Sequence, residues 1–331
     1  MTRRHFLHTL GGATALTALA ALSPLRALAQ AVDQVKIYYG FPPGSAGDSV
    51  ARRVGEKLAG TPFSKNAAVV ENKSGAGGRI ALETMRLAPA DGSVLALAPV
   101  SAMAVYPHIY SKLSYTPKDF VPVSIAAVMH HGLAVGPMVP PYVKTLKDFL
   151  AWSKTHPEQA SYGSPGAGSM PHLLGALLGL RAQVDLKHVP YRGVIPSITD
   201  LVGGQIASTM NPSGDYLSYV KAGRLRVLAT SGPKRSPYFP DVPTFAEQGF
   251  ADLTVEEWFG FYAPAKTPAA TVAAANAAIN LALKDKSVLD SLAMVGLIAR
   301  GSSMEAMAKS QQTELERWGP LVKQIGFTAE S

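Results

Sequence analysis

Two short turns rich in glycine and proline contain the residue types best suited to binding an anion. The first spans residues 41–48 and contains Gly44, Gly47 and Asp48. Glycine permits positive φ and leaves backbone N–H groups uncovered, because it has no Cβ. Asp48 is a natural N-cap for a helix predicted from Ser49, so the positive end of that helix would face the turn. A carboxylate could bind there; the alternative is a tight β–α connection that binds nothing.

The second turn, residues 164–169, also precedes a predicted helix. It contains Gly166, Gly168 and Ser169, and His172 follows in the first helical turn, from which its imidazole could reach a carboxylate. The alternative for His172 is a purely structural hydrogen bond. Arg192 follows a predicted strand and could add a cation, although arginines at such positions more often cap a loop.

The chain carries no motif that would support catalysis or hold a cofactor. Ser164 is flanked by glycine, but Tyr162 stands where a nucleophile elbow has glycine. The nucleotide-binding patterns G-x-G-x-x-G and G-x-x-x-x-G-K-[ST] and the zinc pattern H-E-x-x-H are absent from the sequence. His130 and His131 are adjacent, so they would point to opposite faces of a strand, which is poor metal geometry. We expect no catalytic residue, no metal and no cofactor.

Composition indicates a globular protein with room for two domains. The chain has 331 residues, of which 47% are hydrophobic and 16% charged, which argues against disorder. It contains no cysteine, which excludes disulfides, thiolate metal sites and a cysteine-linked lipid anchor.

Residues 1–29 have the pattern of an export signal. Arg3 and Arg4 form a basic start, residues 10–22 are mildly apolar and too few to span a membrane, and residues 27–29 form a small-x-small cleavage site. The paired arginines favour the twin-arginine route over general secretion, and either predicts a periplasmic protein. Three of the 31 basic residues and none of the 23 acidic ones lie in this segment, so the remainder carries a formal charge of +5. This charge suits small anions, and no basic run with interleaved aromatics indicates nucleic acid.

The first turn requires a sheet edge to position it. Residues 37–41, 69–71 and 94–98 are predicted strands, and residues 49–59 and 80–87 are predicted helices. This β-α-β-α-β order predicts an open, mostly parallel sheet. Ligands of such sheets bind at the carboxyl ends of the strands, where the first turn and another glycine turn at 72–78 lie.

A second β/α unit follows strands predicted at 121–127 and 132–135. Thr145 and Asp148 form a capping box for a helix at 146–154. Strands are predicted at 161–162, 187–191, 206–210, 226–230 and 257–263, with helices at 195–201 and 216–222. The tail is predicted helical at 268–283, 288–294 and 304–325, the last broken near Gly319 and Pro320. Two such lobes predict a cleft that closes on a ligand by hinge motion.

Motifs along the whole mature chain resemble those of the Bug receptors, the substrate-binding proteins of tripartite tricarboxylate transporters. They are F-P-P-G at 41–44, E-N-K-S-G-A-G-G at 71–78, P-A-D-G at 89–92, Y-G-S at 162–164, H-V-P-Y-R-G at 188–193, G-G-Q at 203–205, P-D-V-P-T at 240–244 and F-Y-A-P at 261–264. Each motif alone is weak, but their order and spacing together are specific.

The resemblance implies a periplasmic binding protein (Venus flytrap) fold of class α/β. Each lobe would be a mixed, mostly parallel sheet flanked by helices, and two crossover strands would join the lobes. Lobe 1 would comprise residues 30–128 and 256–331, and lobe 2 residues 129–255. The family binds small carboxylates at the turns that match 42–48 and 164–169, often through ordered waters. The implied partners are the membrane subunits of a tripartite transporter, and we expect a monomer.

The residues expected to contact the ligand lie in both lobes. They are Phe41, Pro43, Gly44, Ser45, Asp48, Ser101, Ser164, Gly166, Gly168, Ser169, His172 and Asn211. Three positions depart from the family pattern: Ser45 replaces a usual glycine, and Ala207 and Asn211 replace common aspartates. The missing carboxylate at Asn211 argues against a ligand with an ammonium group. We therefore expect a non-amino mono- or dicarboxylate, aromatic ones included.

Two other functions remain open. The protein could be a periplasmic adaptor that presents a bound metabolite to a two-component sensor kinase, which would use the same closed lobes. A hydrolytic enzyme is the less favoured alternative, because no catalytic set is visible.

Overall fold

The chain folds into two sheets flanked by helices; the computed structural model describes residues 31–329. The strands are β1 (Lys36–Tyr39), β2 (Val69–Asn72), β3 (Val94–Pro99), β4 (Phe120–Met129), β5 (His131–Val135), β6 (Ser161–Ser164), β7 (Lys187–Pro190), β8 (Ser208–Pro212), β9 (Arg226–Thr230), β10 (Glu257–Pro264) and β11 (Ile298–Ala299). The helices are α1 (Ala46–Glu56), α2 (Arg79–Arg86), α3 (Ser101–Ala104), α4 (Tyr106–Ile109), α5 (Leu146–Thr155), α6 (Met170–Ala182), α7 (Val194–Val202), α8 (Leu217–Lys221), α9 (Ala269–Ala282), α10 (Lys286–Met294) and α11 (Met304–Ile325). The predicted export signal lies outside the described residues. Within residues 31–329, no helix is long and apolar enough to cross a membrane.

Local signals in the sequence locate most of these elements. The capping box before α5 is confirmed: the Thr145 side chain accepts the Asp148 N–H at 3.1 Å, and the Asp148 carboxylate accepts the Thr145 N–H at 3.0 Å. The strand predicted at 206–210 is displaced, because β8 begins at Ser208. Helices α3 and α4 and strand β11 were not predicted, and the other differences move only the ends of elements.

Both sheets are mixed. The first has the order β11-β4-β10-β3-β1-β2; β1 pairs parallel with β2 and β3, whereas β10 pairs antiparallel with β3 and β4. The second has the order β7-β6-β8-β5-β9, parallel on both sides of β6 and antiparallel on both sides of β5. The predicted two-lobed α/β class is confirmed, with one correction: the sheets are not mostly parallel, because strands at the crossovers run against their neighbours.

The parallel strands bring the predicted turns to sheet edges. Ile37 of β1 lies opposite Val70 of β2 and Leu95 of β3, so these three strands end at the same edge. In the second sheet, Gly163 of β6 lies opposite Val189 of β7. The turns after β1 and β6 therefore both lie at carboxyl ends of parallel strands, where α/β proteins bind ligands.

Two crossovers join the sheets, at residues 129–131 and 255–257. Only His130 separates β4 from β5. Ser231 holds both crossovers together, since its hydroxyl accepts the His131 N–H at 2.9 Å and donates to the Val255 carbonyl at 2.7 Å. On this basis we propose that lobe 1 comprises residues 30–128 and 256–331, and lobe 2 residues 129–255.

The predicted break in α11 is wrong, because the helix continues through Pro320 to Ile325. Proline removes the N–H that would bond to the carbonyl of Glu316, and it usually bends or ends a helix. Here Pro320 and Glu316 are both exposed, so water can satisfy that carbonyl. Trp318 and Val322 on the other face are buried, and their packing holds the two halves in one helix.

Helix α11 contributes to the core of both lobes. Trp318 is fully buried, and the apolar cluster that contains it also contains Tyr115 of lobe 1 and Leu173 of lobe 2. The helix therefore stabilises the two lobes together.

We expect Trp318→Ala to lower the free energy of unfolding by about 3–5 kcal/mol, because it removes a large buried side chain and leaves a cavity. Urea denaturation followed by circular dichroism measures this. The control is Lys309→Ala on the same helix, where the side chain is exposed and a change within about 0.5 kcal/mol is expected. Equal effects of the two substitutions would contradict the role of α11 in the core.

Candidate ligand-binding site

The first turn presents an exposed glycine before a helix. Gly44 is exposed and has φ +81°, and no atom lies within 4 Å of the place a Cβ would take, so the predicted positive φ is confirmed here. The helix begins at Ala46, and the N-cap position belongs to Ser45. The predicted N-cap role of Asp48 is therefore wrong; Asp48 lies inside the first helical turn.

The buried carboxylate of Asp48 instead stabilises the turn through hydrogen bonds. Asp48 is 3% exposed, and its carboxylate accepts hydrogen bonds from the Gly44 N–H at 2.9 Å, Arg52 Nε at 2.9 Å and Asn72 Nδ2 at 2.8 Å. Burial by itself would raise the pKa of Asp48, but the bonds from Arg52, Gly44 and Asn72 outweigh it and hold that pKa below its usual value. With its acceptor sites occupied, this carboxylate positions the turn.

A glycine is required at position 47 because a side chain would not fit there, and not because the backbone has a positive φ. Gly47 is helical and does not use the positive φ that glycine permits, and a Cβ there would lie 2.3 Å from the Tyr39 hydroxyl. The Tyr39 ring also packs against Phe41, at 5.5 Å between ring centroids. Ser45 donates to the Pro42 carbonyl at 2.8 Å, which stabilises the turn from its exposed side.

Two backbone donors of this turn remain available. The N–H groups of Ala46 and Asp48 lie in the first turn of α1, where helical partners do not exist. Within residues 31–329 neither makes a hydrogen bond. They lie at the N-terminal end of α1, shortly after exposed Pro43 and Gly44, and an anion can bind at this positive end of a helix.

Most polar groups of the second turn form hydrogen bonds within the turn and with the start of α6. Ser169 caps α6: its hydroxyl accepts the His172 N–H at 3.4 Å and donates to the Gly166 carbonyl at 2.7 Å. Gly168 has φ +78°, and its N–H donates to His172 Nδ1 at 3.0 Å. The Gly168 N–H therefore has a protein partner, and the structural alternative for His172 accounts for its contacts.

Two stacked imidazoles lie behind this turn. The rings of His172 and His188 are 3.9 Å apart, and Phe327 meets His172 edge-on at 4.5 Å. Burial lowers the pKa of His172 to about 4, and burial with the neighbouring His172 lowers the pKa of His188 to about 3. Both histidines are therefore neutral at pH 7 and bring no positive charge to the site.

Ser164 and His188 form a pair that sequence spacing did not indicate. Ser164 Oγ lies 2.7 Å from His188 Nε2, the separation expected of a nucleophile and its base. However, Ser164 is completely buried, and its hydroxyl also lies 3.1 Å from the Gly166 carbonyl. A base with a pKa of about 3 would remove a proton poorly, so this pair fits a structural role.

Ser101 and Asn211 make hydrogen bonds inside the protein. Ser101 is 4% exposed and donates to Glu257 at 2.6 Å; the other oxygen of Glu257 lies 2.9 Å from His131 Nε2. Asn211 is fully buried in lobe 2 and donates to Ser197 Oγ at 2.9 Å. Sequence analysis missed Glu257, although an acidic residue opening an apolar strand was a signal of a buried pair.

The turns of the two lobes approach one another near α4. A Cβ on Gly168 would lie 2.9 Å from Ile109 of lobe 1, so the lobes are in contact there. The predicted contact residues from Phe41 to Asp48 lie together in one turn, and those from Ser164 to His172 lie together in the other. No group of three or more potential metal ligands occurs in the described part of the chain.

The buried histidines predict a specific pH dependence. Between about pH 6.5 and 4, His172 and His188 bind protons in the unfolded chain but stay unprotonated in the folded protein. The free energy of unfolding should therefore fall as the pH drops through this range. The expected slope is up to about 1.4 kcal/mol per pH unit for each histidine. In His172→Gln, whose amide oxygen can still accept the Gly168 N–H, the slope should be smaller.

Urea denaturation at pH 4.5, 5.5, 6.5 and 7.5 measures this. Between pH 6.5 and 7.5 wild type and variant should respond alike, which serves as the internal control. An unchanged slope in His172→Gln below pH 6.5 would show that His172 is protonated in the folded protein.

Comparison with known proteins supports one family. A family model described as the tripartite tricarboxylate transporter family receptor matches residues 50–327. The protein BugT of Bordetella pertussis is 31% identical over 291 residues, which cover 86% of this chain and 87% of BugT.

Solved structures show the same fold. Rpa4515 of R. palustris, solved with adipate, superposes with a TM-score of 0.81 at 28% identity, covering 90% of this chain and 99% of that one. MatC of Rhodopseudomonas palustris, solved with bound malate, gives a TM-score of 0.77 at 28% identity, covering 88% of this chain and 99% of that one. These chains match over nearly their whole lengths, so the likeness concerns both lobes.

Proposed function

The chain belongs to the tripartite tricarboxylate transporter receptor family, and we propose that it is a periplasmic receptor that captures a small carboxylate between its two lobes. The observation that carries this proposal is that the N–H groups of Ala46 and Asp48, at the positive end of α1, make no hydrogen bond within residues 31–329. A carboxylate bound there would be held by charge-assisted hydrogen bonds. The lobes would close over it by bending at the two crossovers.

The ligand class follows from the groups that surround the cleft. The relatives solved with adipate and malate bind non-amino carboxylates. In this chain the carboxylates of Asp48 and Glu257 already have partners for their oxygens, and Asn211 replaces an aspartate. None of these three offers a free negative charge to an ammonium group, which supports a mono- or dicarboxylate without one.

The family and the predicted export signal support the rest of the proposal. The receptor would act in the periplasm and deliver its ligand to the membrane subunits of a tripartite transporter. It would not be an enzyme, because the serine–histidine pair of Ser164 and His188 is buried and its histidine is a weak base.

A thermal-shift titration with adipate and malate tests the function directly. A ligand that binds only the folded state at 100 times its dissociation constant stabilises that state by about 2.7 kcal/mol, so the midpoint should rise with ligand concentration. Butylamine, a small cation, is the control and should produce no shift. No shift with any carboxylate, together with turnover of an ester, would favour the enzyme alternative.

Ala46→Pro tests the anion site without disturbing the helix. Proline is favoured at the first helical position, and Ser45 before it already has the extended conformation that proline requires, with φ −73° and ψ 164°. The substitution removes one N–H donor to a charged group. We expect the carboxylate affinity to fall about 10- to 150-fold, measured by calorimetric titration, with the melting temperature unchanged or slightly higher.

The matched control is Ala269→Pro. Ala269 is the first residue of α9, far along the chain from the turn, and it also follows an extended residue, Pro268. This variant should bind the carboxylate as wild type does. If Ala46→Pro also retains full affinity, the N-terminus of α1 is not the carboxylate site.

A further inference from the structure

A left-handed turn precedes α2 at the same sheet edge as the first turn. Gly75, Ala76, Gly77 and Gly78 have φ of +132°, +48°, +65° and +89°, a conformation that residues with a side chain adopt rarely. The Tyr106 hydroxyl donates to the Gly77 carbonyl at 2.8 Å and thereby holds the turn in place. The turn is exposed to solvent up to Gly77.

Arg79 is positioned by this turn. Its Nε donates to the Ala76 carbonyl at 3.0 Å, and its guanidinium carbon lies 4.0 Å from the centroid of the Tyr110 ring. Stacking on an aromatic ring with one bonded nitrogen fixes the plane of the guanidinium. Its two terminal nitrogens make no hydrogen bond or ion pair within residues 31–329. Glu83, one helical turn away, accepts a bond from Ser114 and does not neutralise Arg79.

The residues next to Arg79 and next to its stacking partner Tyr110 contact the two binding turns. Gly78, the neighbour of Arg79, touches the first turn: a Cβ on Gly40 would lie 2.4 Å from Gly78 Cα, and one on Gly78 would lie 3.0 Å from the Phe41 ring. On the other side, Tyr110 follows Ile109, the residue that meets the second turn at Gly168. A ligand anchored at α1 would therefore extend past Arg79 towards lobe 2.

The other cations near this edge are already engaged. Arg52 pairs with Asp48 at 2.9 Å and also bonds to Asn72, and Lys73 pairs with Glu71 at 3.2 Å. Arg79 thus differs from them in having a fixed orientation and unused donors. A planar fork with two free nitrogens matches a carboxylate in bidentate geometry.

We propose that Arg79 binds the second carboxylate of a dicarboxylate whose first carboxylate lies at the N-terminus of α1. This inference rests on the proposed function and adds the residue that selects two acidic groups over one. Arg79 is then a specificity residue: a dicarboxylate gains a charge-assisted pair that a monocarboxylate of the same length does not form.

Calorimetric titration with adipate and hexanoate, which have equal chain length, separates the two carboxylates. In Arg79→Gln we expect the affinity for adipate to fall about 10- to 150-fold, and that for hexanoate to change less than about threefold. Arg79→Lys keeps the charge but not the fork or the stacking, so its loss for adipate should be intermediate. Arg86→Gln removes the same charge from the exposed last turn of α2 and should leave both affinities unchanged.

The outcomes distinguish this inference from the proposed function. If wild type binds neither acid, nor malate in the thermal-shift titration, the proposed function fails and this inference fails with it. If wild type binds the acids but Arg79→Gln weakens both equally or neither, only the inference about Arg79 is overturned. Melting curves of the variants show whether they fold. An equal loss of adipate affinity in Arg86→Gln would mean that the effect of Arg79→Gln reflects general charge attraction, which would overturn the inference.

Discussion

The buried carboxylate of Glu257 is the constraint on which the arrangement of the lobes depends. Glu257 is the first residue of β10, and its two oxygens bond to Ser101 after β3 and to His131 at the start of β5. An unpaired carboxylate in such a place would cost several kcal/mol, so the three elements stay together in any state that keeps it buried. The crossovers and the ligand edge of lobe 1 are thereby held to one another at their point of closest approach.

The two turns are held by contacts of their own. Each turn is held from within: Asp48 holds the first turn, and His172 with Ser169 holds the second. Because these hydrogen bonds use most polar groups of the turns, few donors remain for a ligand. A small number of fixed donors favours selectivity, because a ligand must match their positions without moving them.

Most strands and helices, apart from α3, α4 and β11, could be predicted from the sequence, but the hydrogen bonds within the turns could not. Strand and helix positions follow from apolar periodicity and from caps such as Thr145 with Asp148, which act within a few residues. By contrast, Asp48 bonds to Asn72 across 24 positions, and Ser101 bonds to Glu257 across 156. Local signals carry no information on such pairs. Sequence analysis therefore found the turns, but it misassigned the N-cap and missed the contacts of Glu257, His188 and Arg79.

The strength of the contacts between the two lobes decides where the molecule can open. At α11, Arg181 of lobe 2 donates to the Gln324 side-chain oxygen at 2.8 Å, and an exposed hydrogen bond of this kind contributes little net stability. The apolar cluster beneath, with buried Trp318 from α11 and Leu173 from lobe 2, contributes far more per residue. At the second turn, Gly168 lies against Ile109 and Phe327; Ile109 belongs to the same apolar cluster, and Phe327 packs on it. Separating the lobes at α11 would expose this cluster to water, so bending of the chain at the crossovers costs less than opening there.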